Sequence, residues 1–127
     1  MYIYSSIIGG ENMSKNLFFN GITDLLVLSI LDDHDSYMYE IVKSIKECSG
    51  DLLSISQNTI YTVAYKLQNE GKISEYSKLV GKRRTRVYYH LEPEGKKYLE
   101  ELLDSYNKTA QAVQNVLSSL KEGESNE

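Results

Sequence analysis

The sequence is poor in the residues that staple, kink or coordinate. Its one cysteine, Cys48, leaves no disulfide to close within the chain and no cysteine-based metal motif from a single copy. Two histidines, His34 and His90, add too little for a structural zinc site. No metal and no cofactor are expected. One proline and eight glycines in 127 residues argue against collagen, long linkers and many-turned all-β folds. No apolar run approaches the ~20 residues that span a bilayer. The densest stretch, Leu25-Leu26-Val27-Leu28, is broken by Ser29, so no membrane role is expected. No Ser/His/Asp constellation, Gly-rich phosphate loop or metal-ligand spacing occurs, so no catalytic residue is assigned and an enzyme is disfavoured.

Hydrophobic residues at 41% and charged residues at 25% exclude a disordered chain. The net charge of −4 is a poor start for nucleic-acid binding, yet it hides a segregation. Residues 54–97 hold nine Lys+Arg against four Asp+Glu, a surplus of five positive charges. The rest holds five against fourteen, a surplus of nine negative charges.

Residues 1–16 read as an amino-terminal extension without a core role. They lack the positive start and long apolar centre of a signal peptide, and a cytoplasmic location is expected. Ile-Gly-Gly-Glu-Asn before Met13 can be encoded by a purine-rich stretch like a bacterial ribosome-binding site, so Met13 is the expected start; the alternative is a short tail.

Residues 17–92 organise as one unit. Thr23-Asp24 is read as the cap of a helix through Leu25 to Leu31, apolar nearly all round and therefore buried. Ser36 is read as the cap of a second helix, with Met38, Ile41, Val42 and Ile45 spaced i, i+3, i+4, i+7. Ser56 is read as the cap of a third, where Ile60, Val63, Ala64 and Leu67 repeat that spacing. Beyond Gly71 the texture changes to strands. Ile73 to Leu79 and Thr85 to Leu91 flank a turn at Val80-Gly81-Lys82, which predicts a β-hairpin with a basic tip.

Pro93 opens a final helix to about Leu120, followed by a polar tail at 121–127. Leu99, Leu103, Tyr106, Ala110, Val113, Leu117 and Leu120 keep an a/d heptad register over residues 93–120. A helix that packs only on its own domain usually shows a broader stripe. These residues are therefore read as a dimer interface with a second copy, against the alternative of an intrachain core helix.

The order helix, helix, helix, basic hairpin is that of a winged helix-turn-helix. The fold class is α+β, mostly helical, with a long carboxy-terminal dimerisation helix. On the third helix, Asn58, Tyr61, Thr62, Tyr65 and Asn69 share the face opposite the core. Ser56, Gln57, Asn58 and Thr59 stand at its amino-terminal end, where free N–H groups favour a phosphate. Gln57 and Asn58 suit bidentate bonds to adenine edges, and Lys66 is read as a backbone-phosphate contact. Lys82, Arg83, Arg84 and Arg86 form the densest positive cluster, suited to phosphates or a minor groove. Double-stranded DNA is the expected partner. The alternative is a protein–protein module whose wing and tyrosines bind an acidic partner.

The chain resembles the PadR family of transcriptional regulators. Asn58-Thr59-Ile60-Tyr61-Thr62-Val63-Ala64-Tyr65-Lys66-Leu67-Gln68-Asn69-Glu70-Gly71 stands where that family reads G-T-L-Y-P-x-L-x-R-L-E-x-x-G. Tyr37-Met38-Tyr39-Glu40-Ile41 stands for Y-G-Y-E-I, and Arg86 to Gly95 for R-K-Y-Y-x-L-T-x-x-G. The likeness covers about residues 17–120. Asn58 replaces glycine and Thr62 replaces proline, so no base preference is carried over; Glu92 replaces the threonine cap of the last helix. The resemblance implies the short form, with one carboxy-terminal helix joining a homodimer that represses genes. It also implies, in some members, release from DNA by a phenolic or other planar small-molecule effector. Tyr106 matches the aromatic position that lines the effector pocket at the dimer centre, with a plain interface tyrosine as the alternative.

Overall fold

The computed structural model describes residues 21–125, with side chains to Gly123. The extension at 1–16, and with it Met13, lies outside the described residues. The elements run α1 (Ile22–Asp33), β1 (Ser36–Tyr37), α2 (Met38–Cys48), α3 (Gln57–Asn69), β2 (Ile73–Val80), β3 (Arg84–Leu91) and α4 (Pro93–Ser125).

The helix α1 is buried, as its all-round apolarity requires, with Val27 and Leu28 fully enclosed. Its start differs from the expected cap. Gly21 holds the cap position at φ +82°, with no side-chain cap bond, and Thr23 and Asp24 lie inside the helix and face the core. A left-handed cap backbone suits glycine, which has no Cβ to clash. The expected cap at Ser36 is also replaced. Ser36 is fully buried in β1, pairs with Tyr89, and donates its hydroxyl to the His34 carbonyl at 3.1 Å. A ladder partner far along the chain has claimed a residue whose local sequence reads as a cap.

The sheet is antiparallel in the order β1-β3-β2. The β2–β3 register runs from Ile73 opposite Leu91 to Val80 opposite Arg84, and Gly81 turns the tip at φ +75°. Tyr89 is buried and Leu91 half-buried, whereas Val87 is exposed. The far half of the hairpin projects past the helices, so alternation there no longer selects a core face.

The core is made by α1, α2, α3 and the base of the hairpin. Ile41 and Ile45 of α2 and Ile60, Ala64 and Leu67 of α3 meet Leu25, Leu28 and Leu31 of α1. Only the start of α4 joins them. Leu99 is 3% exposed in this core, with Tyr98 and Leu102 half-buried beside it. Leu99 therefore leaves the expected dimer seam, because α1 already covers it. The remaining seam residues, Leu103 to Leu120, are all exposed on a helix of 33 residues, roughly 50 Å long at ~1.5 Å per residue. The helix also runs past Leu120 into the expected polar tail. Among the described residues, no helix is long and apolar enough to cross a membrane.

Candidate nucleic-acid interface

The candidate surface is built on α3. Ser56 caps it, as expected. Its Oγ accepts the Thr59 backbone N–H at 3.2 Å and lies 3.0 Å from Thr59 Oγ1. That satisfies one of the N–H groups a helix start leaves open. It also occupies the Thr59 hydroxyl, which is half-buried, so Thr59 supports the helix end rather than facing outward. The inner face of α3 is closed by Ile60, Ala64 and Leu67. The outer face presents Gln57, Asn58, Tyr61, Thr62 and Tyr65, all exposed, with Asn69 one turn on. Tyr61 is 56% exposed and Tyr65 67%. Thr62 turns its hydroxyl back to the Asn58 carbonyl at 3.0 Å, which presents its methyl outward.

The hairpin tip supplies the charge. Lys82, Arg83 and Arg84 are exposed, and none is held in an ion pair among the described residues. Arg86 differs. It is half-buried, its guanidinium lies 4.1 Å from the Tyr37 ring centroid, and the neighbouring Tyr88 hydroxyl helps hold its pKa above the ordinary value. Two residues along a strand from Arg84 put it on the same sheet face, over an aromatic row instead of at the tip. In that row Tyr37 and Tyr88 meet edge-on at 5.5 Å, and Tyr76 and Tyr88 stack at 5.7 Å. Arg86 thus leaves the expected free cluster.

Lys66, expected on a phosphate, donates its Nζ to Asp24 Oδ2 at 2.6 Å, with its side chain still 48% exposed. Burial lowers the lysine pKa, but the hydrogen bond and charge of Asp24 outweigh it and hold the ammonium above its ordinary value. Tyr98 donates to the same oxygen at 3.3 Å. Burial, then the Asp24 charge, pushes its hydroxyl pKa up, so it stays a donor. Sequence reasoning missed this site. The signal was present: an aspartate in a helix apolar nearly all round must find a cation.

Asp35 is a second missed hub. Tyr76 donates to its Oδ2 at 2.8 Å, and His90 Nδ1 lies 2.8 Å from its Oδ1. Burial raises the carboxyl pKa, and the bonds from His90 and Tyr76 more than reverse this, leaving it below the ordinary range. The α1–β1 link is thereby tied to both strands of the wing.

Residues 27–101 match the model of the "Transcriptional regulator PadR-like family". A transcriptional regulator from Clostridium thermocellum is 32% identical and superimposes with a TM-score of 0.71, over 76% of this chain and 91% of the other. A PadR family transcriptional regulator from Eggerthella lenta is 26% identical with a TM-score of 0.71, over 92% and 97%. Bacillus subtilis PadR, solved in complex with operator DNA, is 27% identical with a TM-score of 0.60, over 65% of this chain and 47% of that one. With this match spanning the capped α3, the wing and the start of α4, the chain belongs to the PadR-like family of transcriptional regulators.

Proposed function

We propose that the chain binds double-stranded DNA as a homodimer and represses transcription by occluding polymerase. The outer face of α3 enters the major groove with Gln57, Asn58, Tyr61, Thr62 and Tyr65. Lys82, Arg83 and Arg84 hold the adjacent backbone. The observation that carries this reading is the pair of open tyrosines on a helix whose other face is sealed. Large aromatics left on one exposed face need something to cover them. Their hydroxyls suit phosphates and their rings suit sugars. The operator complex of the B. subtilis relative supports the reading.

Two copies join through the exposed stripe from Leu103 to Leu120 on α4. Two-fold symmetry then calls for a pseudo-palindromic operator with half-sites roughly 34 Å, or one turn, apart. Tyr106 lies on that stripe, and a planar or phenolic effector stacking there releases DNA by favouring the non-binding geometry.

Fluorescence anisotropy tests the DNA reading, with the gene's own upstream duplex against a scrambled one over a salt series. Tight binding to the upstream duplex alone, steeply weakened by salt, is the expected result. Equal weak binding to both moves the favour to an acidic protein partner. Arg83→Ala with Arg84→Ala lowers affinity and flattens the log–log salt slope by roughly one for each phosphate no longer neutralised. An unchanged slope removes the wing from the interface.

A further inference from the structure

Among the described residues, Asp24 is the only buried acidic one. A carboxylate out of water is costly unless paired and hydrogen-bonded. Here a single oxygen, Oδ2, serves partners on two other helices: Lys66 of α3 at 2.6 Å and Tyr98 of α4 at 3.3 Å. A second tie lies beside it. The Glu92 N–H donates to the Lys72 carbonyl at 3.0 Å, which pins the backbone just past α3 to the start of α4. Lys72 Nζ lies 3.9 Å from the centre of the Tyr98 ring and 2.8 Å from Glu70 Oε1. One corner of the molecule therefore links α3 to α4 twice, through a shared carboxylate oxygen and through the chain itself.

We infer that Asp24, Lys66 and Tyr98 are positioning residues that fix the direction of α3 relative to α4. The inference rests on the proposed dimer for its consequence. If α4 is the seam, the α3–α4 angle sets the separation of the two recognition faces, which must match about one turn of duplex. Removing the Tyr98 hydroxyl or the Lys66 ammonium leaves Asp24 one partner short. The Lys72 turn and the apolar packing on α1 remain, but without the full polar tie α3 can rock about its end. Lys66 acts through Asp24 here, not on phosphate.

Spin-label distance measurements on the full chain, in a Cys48→Ser background, test this. Labels at Asn58→Cys and at Lys108→Cys, which is exposed and off the apolar stripe, in one chain diluted in unlabelled protein, read the α3–α4 geometry directly. A narrow distribution is expected for the parent. Tyr98→Phe and Lys66→Met broaden it about twofold, and Lys66→Arg keeps it narrow. Unchanged widths in Tyr98→Phe, folded by circular dichroism, overturn the inference, and Tyr98→Phe decides even where Lys66→Met does not fold. Undiluted protein labelled at Asn58→Cys alone reads the distance between copies. No dipolar signal there overturns the dimer, while the α3–α4 distance still decides the junction.

Discussion

Gly95 shows how one atom can carry an architectural demand. It lies in the first turn of α4, is buried, and has no unusual φ. Helix propensity alone would favour alanine there by about 1 kcal/mol. Space forbids it. An added Cβ would stand well inside contact with the Lys72 carbonyl oxygen and 2.7 Å from Leu91 Cδ1. That carbonyl cannot retreat without losing its bond from the Glu92 N–H. Gly95→Ala is therefore expected to destabilise the fold by about 1–3 kcal/mol, the usual cost of overpacking. Urea unfolding monitored by circular dichroism checks it, and an unchanged or higher midpoint would show that the approach of α4 to the Lys72 turn is not tight. The same residue scale explains why the Asp24 partner of Lys66 escaped sequence reasoning. The neighbouring Tyr65 faces outward, and nothing local reveals that the next side chain turns to a carboxylate 42 positions away.

The hairpin depends as an element on Asp35, which takes bonds from Tyr76 on β2 and His90 on β3. Because its folded pKa is depressed, the stabilisation it gives is fully present above the ordinary carboxylate pKa of about 3.9. It is lost as pH falls through the lower, folded value. The wing is thus expected to loosen below about pH 4, and Asp35→Asn should be less stable than the parent at pH 6 and converge with it in acid. Thermal midpoints from pH 2.5 to 6 measure this; parallel curves would deny Asp35 the role. What was legible in the sequence follows the range of the interactions. The Ser56 cap, the core faces of α2 and α3 and the hairpin rest on neighbours within a few residues and stand as read, except that Val80 joins β2 opposite Arg84 and the turn falls one residue later, at 81–83. The caps expected at Thr23-Asp24 and Ser36 failed because distant partners took those residues: Lys66 and Tyr98 in one case, Tyr89 in the other. Arg86 left the free cluster for the same reason, since Tyr37 lies far away in sequence.

At the scale of the whole molecule, the domain uses only the start of α4. Every described side chain from Leu103 to Gly123 is exposed. An isolated amphipathic helix draws most of its stability from what it packs against. A stripe containing Leu103, Tyr106, Val113, Leu117 and Leu120 is costly to leave in water. The heptad spacing shows that this stripe exists, but not where the chain's own core stops and the proposed seam begins; Leu99 lies on the core side of that border. Leu117, 53% exposed, lies well beyond it, so a charge there disturbs the proposed seam and not the domain. Leu117→Asp is expected to sediment as a monomer with its circular dichroism spectrum retained. Its affinity for a two-half-site duplex should fall by about a hundredfold or more, the scale at which linked sites lose their mutual gain. Its affinity for a single half-site should hold. A Leu117→Asp protein that remains dimeric places the seam elsewhere on α4. A parent protein that sediments as a monomer at micromolar concentration removes the dimer, and with it the expectation of a palindromic operator.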